Sequence, residues 1–185
     1  AALTLGAATG SEGSVLSLQA AGSFIFNGLV TLSDLDNVIE NTTTAGTISF
    51  NGGFSLSAGG TSSFVTMAGT TVNFGGSLTV SGSALVFNAA STADFIAGTP
   101  TITPTAPITF GHVILSGGTT TLAGDIAVVG NWSNTGGALT AAGFTVTFSG
   151  TSNTIGGTVL TVFGPMVIAD AAVYTMNNSN SCTSL

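Results

Sequence analysis

The chain of 185 residues contains no lysine and no arginine, one histidine, one cysteine, one tryptophan, one tyrosine and four prolines. The missing cations exclude the most. Affinity for a phosphate backbone comes largely from Lys and Arg releasing counterions, so nucleic acid is not an expected partner. Anionic lipid finds no basic patch. Chemistry that needs an Arg clamp, a Schiff-base Lys or a phosphate-cradling Lys has no residue to carry it. The single cysteine, Cys182 in SNSCTSL, cannot close an intramolecular disulfide and reads as an inert thiol or an intermolecular link. Long apolar runs are missing too. Gly, Ser, Thr or Asn interrupts every few positions, far short of the roughly 18 consecutive apolar residues of a membrane span. The N-terminal AALTLG lacks a positively charged region followed by an apolar run, so no signal peptide is visible and the chain reads as a processed form or a piece of something larger.

Charged residues make up 4% of the chain, where a soluble domain has about 25%. The formal net charge is −7. Apolar residues still reach 44%, enough for a core, and the rest is small and neutral: 27 Gly and 52 Ser plus Thr. Disordered chains are poor in aromatic and β-branched residues and high in charge. With 12 Phe and abundant Val, Ile and Thr, this chain is expected to fold as one domain over 1–185.

Helix formers are scarce while β-branched residues and Gly dominate. Short alternating runs recur instead. GTISF puts Ile48 and Phe50 on one side; FSLS pairs Phe54 with Leu56, TVNF Val72 with Phe74, SLTVSG Leu78 with Val80, and ALVF Leu85 with Phe87. In FTVTFSG, Phe144, Val146 and Phe148 point one way and Thr145 and Thr147 the other. Period-two alternation marks strands with one buried side, and the intervening GG, SG, AGG and NGG are turn punctuation.

The runs also repeat. FNGGFSLSAGG from Phe50 resembles FGGSLTVSGS from Phe74, displaced by 23 or 24 residues. GGSLTVSG from Gly75 matches AGDIAVVG from Ala123 at 48, and ITFGHVILSGG around Phe110 resembles TVFGPMVIADA around Phe163 at 53. A fixed period in an all-strand chain points to a solenoid. The expected fold is all-β: a parallel β-helix with coils of about 24 residues, each holding three short strands. A β-sandwich or jelly roll also satisfies the alternation and is the alternative. In a coil, inward Phe, Val, Ile and Leu stack on their equivalents in the next coil. Outward Ser, Thr and Asn stack likewise, whereas like charges about 4.8 Å apart would repel at each rung. A neutral exterior follows. The cluster Pro100, Pro104 and Pro107 reads as a loop or break near 99–108, and 177–185 as a flexible tail free for donation to a neighbour.

The stretches ITFGHVILSGGTTTLAGDIAVVGNW, GALTAAGFTVTFSGTSNTIGGT and VFGPMVI, between Ile108 and Ile168, resemble the β-strand-repeat regions of bacterial surface and autotransporter-type adhesin proteins. The resemblance covers about a third of the chain well and the N-terminal half loosely. It implies a parallel β-helix exported to the cell surface as fibre, stalk or adhesin, and it supplies no catalytic residue.

Residues able to carry chemistry are few. His112 is the sole histidine, with Asp125 the nearest acid for a hydrolytic triad. It reads more naturally as a structural or surface residue. One His and one Cys far apart make no metal site. SDLDNVIEN gathers Asp34, Asp36, Asn37 and Glu40, hard oxygen ligands that could hold Ca²⁺. Their spacing departs from an EF-hand, and a solvated turn is the competing reading. Polysaccharide lyases need a basic residue, which is absent. Hydrolases need paired carboxylates, and nothing in the spacing selects Asp94 with Asp125 or Asp125 with Asp170. Neither catalysis nor a cofactor is expected. Three sequons, at Asn41, Asn131 and Asn177, fit chance in so Asn- and Thr-rich a chain. Threonine pairs in TIT (Thr101, Thr103), TTT (Thr119, Thr121) and TVT (Thr145, Thr147) would suit ice only if they recurred on one face.

A structural role remains. Strand edges without Lys gatekeepers and with few prolines invite head-to-tail stacking or strand donation, and a contact that does not close on itself gives a filament. The expected protein is an extracellular, cell-surface subunit of a self-assembling filament, fibre or sheath. The alternative is a monomeric adhesin or stalk that binds carbohydrate or ice.

Overall fold

Strands of two to seven residues, many of them followed by a glycine- or serine-containing corner, pair in parallel and wind into a β-solenoid of about seven turns at roughly 21 residues per turn. The computed structural model describes residues 3–5, 15–19, 22–33, 38–41, 46–57, 63–66 and 68–185. All 24 strands among the described residues lie in parallel sheets, and there is no helix among them. From Leu3–Leu5 to Asn153–Gly157, successive strands visit three faces in turn. The first face is a seven-stranded sheet running from Leu3–Leu5 to Ala138–Thr140. The third is an eight-stranded sheet from Ser23–Phe26 to Tyr174–Met176. The second holds two sheets, one of three strands (Val15–Leu18, Val38–Asn41, Ser63–Val65) and one of six from Leu85–Val86 onward.

The inside is built from the alternation. Ile48 and Phe50, Phe54 and Leu56, Val72 and Phe74, Leu78 and Val80, and Leu85 and Phe87 are all buried. Of Phe144, Val146 and Phe148, the last two are buried and the first is half-buried. Register continues each column from coil to coil. On the third face Phe26, Phe50, Phe74 and Phe95 stand in one column, followed by Leu115, Asn134 and Gly157. The four rings stack with centroids 5.4, 5.9 and 5.3 Å apart, close to the strand spacing of about 4.8 Å that the sheet imposes.

The 24-residue period holds in the N-terminal coils, where Val30 pairs with Phe54, Phe54 with Leu78 and Leu78 with Ile102. It then shortens: Ile102 pairs with Leu122, a step of 20, and Val113 with Trp132, a step of 19. The match at 48 therefore does not join coil equivalents. Leu78 leads through Ile102 to Leu122 on the first face, while Ile126 pairs with Val146 on the second. The match at 53 fails likewise, because Phe110 leads through Val128 and Phe148 to Ile168, whereas Phe163 pairs with Cys182.

Residues 99–108 carry Thr101–Pro104 and Ile108–Phe110, and the ladder runs through them. Pro104 sits in register with Val80 below. Above it the pairing stops at Ile102 with Leu122, because a proline ring offers no N–H and needs room. Gly124 provides that room, since a Cβ there would lie 2.7 Å from the Pro104 ring. Residues 177–185 include a strand, Ser181–Ser184, paired in parallel with the first part of Val162–Ile168.

One core position is imperfect. Thr120, 1% exposed, points inward between outward Thr119 and Thr121, and its hydroxyl finds no hydrogen-bond partner. A buried hydroxyl without a partner costs about 1–3 kcal/mol. Thr120→Val keeps the shape and removes the hydroxyl, so it should raise the stability by about 1 kcal/mol and the melting temperature by about 2–4 °C. An unchanged or lower melting temperature in a thermal scan contradicts this.

Candidate functional site

The residues that could have formed a catalytic group are dispersed. His112 opens a third-face strand, and its Nδ1 accepts a hydrogen bond from the Asn131 backbone N–H at 2.8 Å. Asp125 lies at the start of a second-face strand, its Oδ1 accepting from the Thr145 N–H at 2.7 Å. Each is thus occupied with the coil above rather than with the other. Asp94 is on the outer side of a third-face strand, and Asp170 is in the turn after Val162–Ile168. Neither carboxylate pair shares a strand or a rung. Asp34, Asp36 and Asn37 lie outside the described residues; Glu40 sits half-buried in Val38–Asn41 on the second face. Among the described residues no three His, Cys, Asp or Glu side chains gather as metal ligands. Cys182 is half-buried against the core as a free thiol. No helix among the described residues is long and apolar enough to cross a membrane.

The outer side of the third face is knitted together along the axis. Asn51 Nδ2 donates to Asn27 Oδ1 at 2.8 Å, Asn73 Nδ2 to Ser49 Oγ at 3.2 Å, and Ser116 Oγ to Asp94 Oδ1 at 2.6 Å. Partial burial pushes the Asp94 carboxyl above its usual range, against the pull of the Ser116 hydrogen bonds. A raised folded-state pKa means that the folded chain holds this proton more tightly than the unfolded chain. Stability is therefore lower above that pKa and recovered as the pH falls through it. Melting temperature should rise on going from pH 7 into the carboxylate range, and Asp94→Asn should remove part of that rise while stabilising the chain at pH 7. An unaltered pH profile in the variant refutes the assignment.

The C-terminal end of the solenoid is the least expected region. Trp132 and Asn134 share the inward side of one strand, and both are buried. Trp132 Nε1 donates to Thr161 Oγ1 at 3.1 Å, Asn134 Nδ2 donates to the Leu160 carbonyl at 3.1 Å, and Asn134 Oδ1 accepts from the Gly137 N–H at 3.0 Å. Period-two reading of NWSN places Asn134 beside Trp132; what hides it is that an amide inside a phenylalanine column satisfies its hydrogen bonds only in three dimensions. Gly157 follows Asn134 in that column at φ +123°, and a Cβ there would collide with the Asn134 backbone. Tyr174 packs edge-on to Phe148, centroids 5.1 Å apart, and its hydroxyl lies 3.2 Å from the Val128 carbonyl and 3.1 Å from that of Gly130.

Above this network the end is apolar. Met166, Ile168, Val173, Tyr174 and Met176 line an open hollow of about 290 Å³. Val173 is 59% exposed and Met176 45%. Among the described residues no strand pairs with the outer edge of Tyr174–Met176, and at the opposite end none pairs with the outer edge of Ser23–Phe26. Comparison with known protein families, with curated proteins and with solved structures yields no match.

Proposed function

We propose that this protein is an extracellular structural subunit that stacks head to tail into a cell-surface filament or sheath. One observation carries the reading: among the described residues no strand pairs with the outer edge of either terminal strand of the third-face sheet, and one continuous column joins the two. That column runs from Phe24 through Ile48, Val72, Ala93, Val113, Trp132 and Ile155 to Met176. A second copy set on the C-terminal end meets parallel strands at the step and direction used inside the molecule. Free strand edges template further pairing, and a heterologous contact without closure propagates. The near absence of charge favours this, because stacked like charges would repel at every rung. The carbohydrate-binding alternative gains little, since all 12 Phe, Trp132 and Tyr174 are buried or half-buried and offer no exposed stacking platform.

Electron microscopy of the purified chain tests the proposal. Unbranched fibres are expected, with an axial repeat of roughly 38 Å from the eight third-face rungs of each subunit at about 4.8 Å each. Dispersed rods at every concentration and salt condition overturn it.

A further inference from the structure

The flank of the solenoid carries a second feature, independent of end-to-end assembly. On the outer side of the first face, Thr4, Thr31, Ser55, Thr79 and Thr103 stand in one column, one per coil. Two residues to the side, Thr101, Thr121 and Thr140 form a parallel column; Ser77, next to Leu78 whose partner is Ile102, stands below Thr101, where its Oγ accepts a hydrogen bond from the Thr101 backbone N–H at 3.1 Å. The inward neighbours of Thr31, Ser55 and Thr79 are buried on both sides, which fixes these side chains outward. Two of the threonine pairs noted in the sequence, Thr101/Thr103 and Thr119/Thr121, thus lie on this face; Thr145 and Thr147 lie on the second.

The array has a fixed mesh. Hydroxyls repeat every ~4.8 Å along the axis and about 6.6–6.8 Å across it, and the stiff χ1 of threonine holds each hydroxyl and methyl in place. On the third face the outer polar groups hydrogen-bond to one another along the ladder. On the first face, no hydrogen bond within the chain engages the side chains of Thr31, Ser55, Thr79, Thr103, Thr121 or Thr140 among the described residues. The described carboxylates, Glu40, Asp94, Asp125 and Asp170, all sit elsewhere. These neutral hydroxyl columns, side by side at Ser77/Thr79 and Thr101/Thr103, give no ion a partner and no sugar ring an aromatic surface. They offer surface water a regular set of anchoring points close to the oxygen repeat of ice.

We infer that the outer side of the first face binds ice. Thermal hysteresis and ice-crystal faceting, measured on the 1–185 chain, test this directly. The intact protein should arrest crystal growth. The double variant Thr79→Tyr/Thr101→Tyr, which sets two rings in the middle of the columns, should lose about tenfold or more of the ice affinity. Thr147→Tyr, on the second face, should keep the wild-type hysteresis. Circular dichroism confirms that each variant retains its strands. No hysteresis and no faceting by the folded chain overturns the inference, as does equal loss in the Thr147 variant. Either result leaves end-to-end assembly, read by microscopy, untouched.

Discussion

Phe50→Ala should destabilise the protein by about 3–5 kcal/mol. Phe50 is fully buried and its ring lies 5.4 Å from Phe26, 4.9 Å from Phe54, 5.5 Å from Phe64 and 5.9 Å from Phe74, centroid to centroid. Truncation removes the transfer free energy of a phenyl group and leaves a void. Collapse is blocked, because the strands above and below are held at the ladder spacing by backbone hydrogen bonds such as Asn51 N–H to the Phe26 carbonyl at 2.9 Å and Gly75 N–H to the Phe50 carbonyl at 3.2 Å. In a solenoid each coil touches only its neighbours, so the damage stays near the lesion. Hydrogen exchange should accelerate most in Ser23–Phe26, Thr47–Phe50 and Thr71–Phe74, and little in Trp132–Asn134. Phe144→Ala, at a half-buried corner, is the comparison and should cost well under half as much. A loss below about 1 kcal/mol at Phe50 in chemical denaturation would show that the aromatic column is not what holds the N-terminal coils together.

How much of this was readable beforehand depends on the length scale. Within a strand the alternation sufficed: TVNF and SLTVSG place Val72, Phe74, Leu78 and Val80 inside, where they are. From strand to strand the period was visible only where consecutive coils keep their corners. Phe50 and Phe74 are true neighbours because both coils turn through matching Gly-containing corners. Where Ile102 meets Leu122 the coil has lost four residues, three of them at the corner before His112–Leu115, and a three-residue strand such as IAV or LTV carries too little information to re-anchor an alignment. Register there is set by stacking and by close backbone approach, as at Gly118, where φ is +68° and a Cβ would meet the backbone of the coil below. The prolines illustrate the same limit. Their spacing suggests a break, yet Pro104 fits in register because Gly124, twenty residues on, leaves space. For the candidate surfaces, the threonine pairs were visible, but which of them share a face follows only from the shortened coils. The apolar end built by Val173 and Met176 had no signal in the pattern, because exposure at the end of a stack depends on what lies above it.

That end supplies the second large effect. Met176→Asp should raise the critical concentration for filament formation by well over tenfold while leaving the isolated subunit folded. In the proposed stack Met176 is followed by Phe24 of the next copy, so the substitution buries an unpaired carboxylate against an aromatic ring, a change of several kcal/mol at about 1.4 kcal/mol per tenfold. In the free subunit the side chain is 45% exposed, and the same change should alter stability by only about 0.5 kcal/mol. Val86→Asp, on a second-face flank and 60% exposed, places an equal charge away from both ends and should assemble far more readily. Charge adds a second handle. Each subunit carries −7 with no compensating cation, so stacking brings like charges together, and salt, which shortens the Debye length to about 8 Å at physiological ionic strength, should lower the critical concentration of the wild type. Sedimentation of both variants across a salt series reads all of this at once. If Met176→Asp and Val86→Asp assemble equally well, or fail equally, the contact does not run through the open edge of Tyr174–Met176.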